Sequence, residues 1–532
     1  MLVAGACAPV SEYGIETTLA AKPLDPSLPY DPSSAEKVVA FAFDAIQDRY
    51  LNAVTVHTVA VEGLRGLASL EPTLKVAEDA GRVIVTVGDR KVAEYEAPQD
   101  QDVRGWAQLA VAAAIDSRAG SDKIHKADAE AVYQAMFEAS LAKLDPFSRY
   151  ASAETARENR ASRNGFGGVG LRYDSSPEGL TVTEVVGDAP AGHAGLKPGD
   201  LITAIDGSST AGMDKQVASK LLRGAIGSDV TLTVRREAGT SKVAMRRALV
   251  VPSTVAMSIE RGIANVKISG FNQRTSSELA HAVRDAKAQL GPDLKGMVLD
   301  LRGNPGGLLD QAVAMADLFV ARGPIVSTRG RHPNASQSYD ANPGDMGEDL
   351  PLVVVVDGKS ASASEILAAA LQDAGRAVVI GTNSYGKGTV QTVIRLPNDG
   401  EMTLTWSRFH SPTGYALHGL GVQPTVCTVE EHSDPLALVK ATYGTSAQQL
   451  AKVMAAWRHT PLEQADARKE LRTGCPSTRH ADSTLEPEVA RILLSDHATY
   501  AKALSVDEPI AIASRPGMPN AAAPAQAESS RR

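Results

Sequence analysis

The sequence predicts a multidomain α/β protein: an α/β core over residues 250–430, a β-rich module inserted ahead of it over 166–240, and helical N- and C-terminal regions. Three observations predict this. Apolar strand-like runs alternate with helical patterns from Ile263 to Gly381, the signature of a core with parallel pairing. Short alternating runs separated by Gly, Pro and Asp fill 166–240. Helical periodicity dominates 35–150 and 431–510. At 532 residues the chain is too long for one hydrophobic core.

Composition narrows the class. A net charge of −8, a pI near 5.8 and 4% aromatics argue against a nucleic-acid binder, which needs a basic face and stacking platforms. No apolar run reaches the ~18 residues of a membrane span. The three cysteines, Cys7, Cys427 and Cys475, form no C-x-x-C pair, and H-E-x-x-H is absent, so no metal site is expected. Cys427 and Cys475 either pair in an oxidising compartment or stand as free thiols. Cys7 ends LVAGAC, a small-residue stretch like a bacterial lipoprotein signal. Such a signal needs a basic start and an apolar stretch of about 7–15 residues, so Cys7 is either a lipid anchor or a chance match.

Residues 1–34 read as a leader and Pro/Ser-rich linker. Ala35–Tyr50 and Val61–Leu70 are helical, Val83–Tyr95 alternates around a Gly-Asp turn as a hairpin, and Gly105–Leu144 is helical until Asp145-Pro146 interrupts it. The polar stretch 151–165 is expected to be a connector. Within the β module, strands are expected at Leu180–Val185, Leu201–Ile205 and Val230–Val234. The core reads as strand 263–271, helix Ser276–Leu290, strand Gly296–Leu301, helix 308–319, strand Leu352–Val356, helix Ser364–Ala374, strand 376–381 and strand 389–396. Residues 431–510 are helical, and the Ala/Pro/Ser-rich 511–532 is expected to be disordered.

FGGVGL, Phe166 to Leu171, brings successive glycines whose backbone N–H groups can converge on an anion. With AGLKPGDLITAIDG and the turn Arg223–Gly227 it resembles a PDZ domain. The resemblance implies that Phe166, Gly167, Gly168, Val169, Gly170 and Leu171 hold a peptide's terminal carboxylate while the peptide adds to a sheet edge. An apolar terminal residue is the expected ligand.

Chemistry concentrates in SASASEILAAALQDAGRAVVIGTNSYGKGTVQ, which has serines and a lysine between glycines but no histidine. Around Ser360 the residues G-K-S-A-S lack the second glycine of a nucleophile elbow. G-T-N-S-Y-G-K-G lacks the Ser/Thr of a P-loop, and a strand pattern rather than a helix follows. GNPGG carries Pro305 where a chymotrypsin-like protease has its serine. A serine–lysine dyad remains, and it requires a lysine kept neutral near pH 7, which burial can do. Glycines beside Lys387 permit close packing. His410 and His418 fall in the same region, so the residues alone leave a histidine base open.

That stretch closely resembles the signature of the C-terminal processing peptidases, or tail-specific proteases. In them a serine lies 25 residues before a lysine, and a glutamine follows the lysine by four. Ser362, Lys387 and Gln391 hold those places. The likeness extends to VLDLRGNPGG (Val298–Gly307), to LDPFSRY (Leu144–Tyr150) and to the HSPTGYALHGLGVQPTV run, and spans roughly 35–430.

The resemblance implies Ser362 as nucleophile, Lys387 as general base and then acid, and Gln391 as the group orienting the amine. It implies an oxyanion hole from Ala363 and from Gly306 or Gly307. Glu365 shares the helical face of Ser362, either as support or as a cap. Ser364 reads as an N-cap and Ser360 falls out of register. The expected function is a serine endopeptidase that recognises protein C-termini through its PDZ domain and cleaves through an acyl-enzyme, without cofactor. The rival is a catalytically silent PDZ adaptor. Expected partners are proteins with apolar C-termini, an adaptor or activator protein, and further copies of the chain through helical regions such as Pro435–Leu471. No nucleic-acid partner is expected. The family's usual setting implies the periplasm or cell envelope. Arg223 is expected either to couple the PDZ module to the active site or to form a surface salt bridge.

Overall fold

The computed structural model describes residues 30–506 apart from 349, 431, 445 and 481–482. Cys7, most of the leader and the tail from 511 lie outside the described residues. The chain forms two compact units, the first from Met1–Arg160, Gly330–Ala335 and Val390–Ser407, and the second from the remaining segments.

In the first unit, helices Pro32–Arg49, Val56–Gly66, Val103–Gly120 and Ala129–Ala142 pack around Phe43, Ile46, Leu64, Trp106 and Phe137. Asp31, Thr55, Asp102 and Asp128 cap their N-termini by accepting backbone N–H groups, which offsets the unpaired donors of a first turn. The expected helix Gly105–Leu144 is divided in the structure. Ser121 ends one helix in an extended conformation and caps the short Asp122–Lys126, and Asp128 starts the next. The expected hairpin is a three-stranded antiparallel sheet, Leu74–Asp79, Arg82–Val87 and Arg90–Glu96. Its first strand ends in charged residues that conceal the alternation, and Ala80 and Gly81 turn it at positive φ. The expected connector is largely the helix Ala153–Asn164, which buries only Ala153 and Ala156. Its polar residues are helix formers facing solvent, not loop residues.

In the second unit the PDZ-like module has strand order Gly239–Arg246, Asp229–Arg236, Leu201–Ile205, Gly179–Val185, Leu171–Ser176. Leu171–Ser176 is therefore an edge strand, and helix Lys215–Leu222 accompanies it. Phe166–Gly168 pairs instead with Ala248–Val250, beyond the expected end of the module at 240.

The core sheet runs Val255–Glu260, Ile263–Ile268, Gly296–Asp300, Leu352–Val356, Val378–Gly381, Val426–Cys427. Its first pair is antiparallel and the rest are parallel. Leu352–Val356 is apolar throughout and wholly buried, as a parallel strand covered on both faces must be. Part of that cover comes from the C-terminal region: Val439, Leu485, Val489 and Leu493 pack with Val298, Val353, Val355 and Val378. Glu401–His410 is a strand for which the sequence offered no clean period, because it buries residues on both faces.

Candidate active site

Three neighbouring parallel strands, Gly296–Asp300, Leu352–Val356 and Val378–Gly381, end on the same sheet edge. In open α/β sheets, loops leaving the carboxyl ends of strands build the site. The three loops here are the GNPGG turn, the segment Asp357–Ser362 and the segment Thr382–Gly388. Sequence-distant motifs meet because their strands are adjacent.

Ser362 occupies the N-cap position of helix Ala363–Asp373, at φ +56 and ψ −112. A non-glycine residue held there costs about 1–3 kcal/mol and persists only where its surroundings enforce it. Those surroundings are visible. Ala361 N donates to Asn304 O at 3.0 Å and Ser364 N to Ala361 O at 3.1 Å. Ser362 N donates to Glu365 Oε2 at 2.8 Å. Ser364 lies inside the helix rather than at its cap, because Ser362 takes the cap position; its hydroxyl donates to Asn304 O at 3.0 Å. Ser360 is buried, with Oγ 2.8 Å from Leu301 O and accepting from Asp357 N at 2.9 Å. It holds the loop.

Glu365 is fully buried. One carboxylate oxygen accepts Ser362 N and also Lys387 N, at 2.8 and 2.9 Å. The other accepts Gly386 N at 2.6 Å and Ser384 Oγ at 2.5 Å. The Ser362 turn and the Lys387 loop are thus tied to a single side chain. Burial pushes Glu365 above the ordinary carboxyl value of 4.5, against hydrogen bonds that each favour the anion. Glu365 caps the helix and also accepts N–H groups of the Lys387 loop.

Lys387 is half-buried rather than buried. The flanking glycines pack the backbone instead: Gly419 N donates to Gly386 O and Phe409 N to Gly388 O, both at 2.9 Å. A Cβ on Gly388 would collide with His418 N. His418 thus meets the lysine loop through its backbone, and His410 ends the strand Glu401–His410.

Gly306 is pressed against the Ser362 turn; a Cβ there would lie 2.6 Å from Ala361 O and 2.9 Å from Ala363 N. Its own N–H donates to Asn304 Oδ1 at 2.9 Å. Ala363, the first residue of its helix, has an N–H with no intrahelical acceptor.

In the first unit, Gln391 Nε2 donates to Thr405 Oγ1 at 3.3 Å, and Thr405 Oγ1 donates to Asp145 Oδ1 at 2.9 Å. Asp145 also accepts Phe147 N and Ser148 N. This chain links the LDPFSRY motif to Gln391 within the first unit.

The sequence reading missed several supports. Asp357 is buried and accepts Gly303 N at 2.9 Å and Ser360 N at 3.1 Å, joining the GNPGG turn to the serine loop. The C-terminal region reaches in as well. Arg472 donates to Leu420 O, to Ser384 O at 2.8 Å and to Tyr385 O at 3.4 Å. Arg302 donates to Ser483 O at 2.9 Å and pairs with the buried Glu486 at 3.4 Å. Asp357 follows a buried strand, which is a signal of sorts; Arg472 has none. Cys427 and Cys475 are disulfide-bonded, with Cα atoms 6.0 Å apart.

In the PDZ-like module a cavity of about 400 Å³ is lined by Phe166, Val169, Gly170, Leu171, Leu222 and Arg223. It lies between the edge strand and helix Lys215–Leu222, where an added peptide strand would sit. Gly167 and Gly168 belong to the adjoining ladder, and Gly224 N donates to Gly167 O at 2.9 Å. Arg223 stacks over Phe166, 4.1 Å from the ring centre, and forms no salt bridge among the described residues.

No group of His, Cys, Asp and Glu suited to a metal occurs among the described residues, and no helix there is long and apolar enough to cross a membrane.

Comparison with known proteins bears on the same segments. Residues 262–428 match peptidase family S41, and 181–236 match a PDZ domain. A carboxy-terminal-processing protease of Bartonella bacilliformis is 38% identical over 326 residues, covering 60% of this chain and 75% of that protein. A probable CtpA-like serine protease of Staphylococcus aureus strain COL is 33% identical over 311 residues, and the chain spans 62% of its length. A solved photosystem II D1 C-terminal processing protease aligns with 73% of this chain and 92% of its own, at 23% identity and a TM-score of 0.37.

Proposed function

The chain belongs to peptidase family S41, the carboxy-terminal-processing proteases, and from that premise we propose that it cleaves proteins through a Ser362–Lys387 dyad after its PDZ domain captures a C-terminus. The observation that carries the reading is Glu365, whose one oxygen accepts the backbone N–H of both Ser362 and Lys387.

Ser362 Oγ attacks the scissile carbonyl carbon while Lys387 Nζ takes the hydroxyl proton. The tetrahedral oxyanion accepts from Ala363 N, at the positive end of its helix, and from Gly307 N. Gly306 contributes the absence of a side chain, since Asn304 already occupies its N–H. Such preorganised donors are typically worth about 3–4 kcal/mol in the transition state. As the C–N bond breaks, Lys387 returns the proton to the leaving amine, and Ser362 is left as an ester. Water, deprotonated by Lys387, attacks that ester; as the C–Oγ bond breaks, Lys387 passes the proton to Ser362 Oγ and the acid is released. Gln391 takes its place in this scheme from the family spacing, supported by the Thr405–Asp145 chain that fixes its own amide.

The cavity beside Leu171–Ser176 suits an extended peptide whose terminal side chain is apolar, and the stacking of Arg223 on Phe166 in that lining supports its role in coupling the module to the active site. The disulfide favours an oxidising compartment outside the cytoplasm.

The test compares wild type, Ser362→Ala and Lys387→Ala on an unfolded protein with an apolar C-terminus, with circular dichroism as the folding check and a fluorophosphonate probe reporting Ser362. Cleavage and labelling by wild type, with both variants dead, is expected. A folded Lys387→Ala variant that cleaves at the wild-type rate would refute the dyad. A wild type that binds the peptide yet never labels would make the chain an adaptor.

A further inference from the structure

A second cavity in the second unit, of about 420 Å³, is lined by Arg329, Arg408, His410, Arg458, His459 and Glu463. Three guanidinium groups and two imidazoles face one carboxylate. Arg458 is in part satisfied by Asp373, 3.3 Å away. Arg408 is not: its Nε is shielded from solvent and has no hydrogen-bond partner among the described residues. Neither Arg329 nor Arg408 forms an ion pair with a described residue, and arginine cannot shed its charge.

Local structure explains the convergence. Along the end of strand Glu401–His410, Ser407 and Phe409 are buried, so the two-residue period brings Arg408 and His410 to the opposite face together. Helix Ala447–His459 ends there and brings Arg458 and His459, and Arg329 comes from strand Gly323–Gly330.

Like charges gathered in a partly dehydrated cavity repel one another, and a buried guanidinium N–H left unpaired keeps its full desolvation penalty. Both penalties are relieved by an anion. We propose that this cavity is a binding site for a terminal phosphate group. Arginine forks match phosphate oxygens in pairs, and the donors here outnumber what the two oxygens of a carboxylate accept. The site stands apart from the dyad and from the peptide groove, and no residue of either lines it.

The phosphate can be free or carried on a lipid headgroup, and two arms distinguish these sources. The full chain is titrated calorimetrically with inorganic phosphate in chloride buffer of constant ionic strength, and is floated with phosphatidylcholine vesicles with and without phosphatidic acid. Saturable binding in the first arm alone identifies a free phosphate; phosphatidic acid-dependent flotation identifies a headgroup. In either case Arg408→Gln is expected to weaken binding at least tenfold. Arg329→Gln, an exposed position that leaves the interior undisturbed, should weaken it several-fold and guards against misfolding of the first variant. No saturable binding in either arm, or binding that both folded variants retain in full, overturns the proposal.

Discussion

Replacing Glu365 with glutamine tests how the Ser362 and Lys387 loops are held together. The carboxylate accepts three backbone N–H groups, from Ser362, Gly386 and Lys387, and one hydroxyl, from Ser384. An amide has one oxygen. Whichever way it turns, its NH2 group faces at least one of those N–H donors, so at least one charge-assisted bond, worth about 1.5–3 kcal/mol, is lost. Those remaining become neutral and weaken by about half. The local cost comes to about 3–6 kcal/mol, with 3 kcal/mol equal to roughly a hundredfold in rate at ~1.4 kcal/mol per decade. We therefore expect kcat/KM on an unfolded substrate protein to fall about a hundredfold or more. Peptide affinity of the PDZ domain, measured by fluorescence anisotropy, should stay within a factor of two, because no residue of that groove touches Glu365. Fluorophosphonate labelling of Ser362 should slow in parallel with cleavage. A folded Glu365→Gln protein that cleaves within threefold of wild type would refute the idea that this carboxylate sets the geometry of the dyad.

Acid should act through the same group. Burial raises Glu365 above 4.5, so kcat/KM should fall as pH drops towards a limb lying above 4.5, where a proton displaces one N–H bond. The sign separates this from unfolding. A carboxyl raised in the folded state contributes most to stability below its unfolded value and loses that contribution as pH rises through its folded one; an identical limb in Glu365→Gln would assign it elsewhere. Arg472→Ala removes donors to three carbonyls of the lysine loop and its neighbour. It should cost about 1.5–3 kcal/mol in urea unfolding and roughly tenfold in kcat; unchanged kcat with lowered stability would leave the residue purely structural. Reducing the disulfide, which closes a separation of 48 residues, should lower stability by about 4 kcal/mol. Denaturation midpoints with and without reductant that coincide would contradict this.

The family was legible in the sequence, and so were Ser362 and Lys387 as the pair on which the proposed chemistry rests. Catalytic chemistry demands particular residue types at fixed spacings, and parallel strands write themselves as apolar runs such as LVVVV. The PDZ module was legible from its short alternating runs between glycine turns, whereas the pairing of Gly167 and Gly168 with Leu249 and Ala248 was not. Other features depended on contacts that no local pattern encodes. Polarity at 153–164 described an exposed helix face as well as it described a loop. Gly306 and Gly307 look alike in GNPGG, and only the folded turn commits the first N–H to Asn304. Glu365 could be read as a cap from its place three residues after Ser362, but its hold on Lys387 arises from a chain separation of 22 residues closed by adjacent strands. Arg408 and Arg458 are ordinary surface arginines in sequence, and become one cationic cavity only when a strand end and a helix end meet. The sequence by itself determined which groups could react, since reactivity belongs to residue types. The tertiary structure decided which of them are held in place and which are left without a partner, since both are set by distances between segments far apart along the chain.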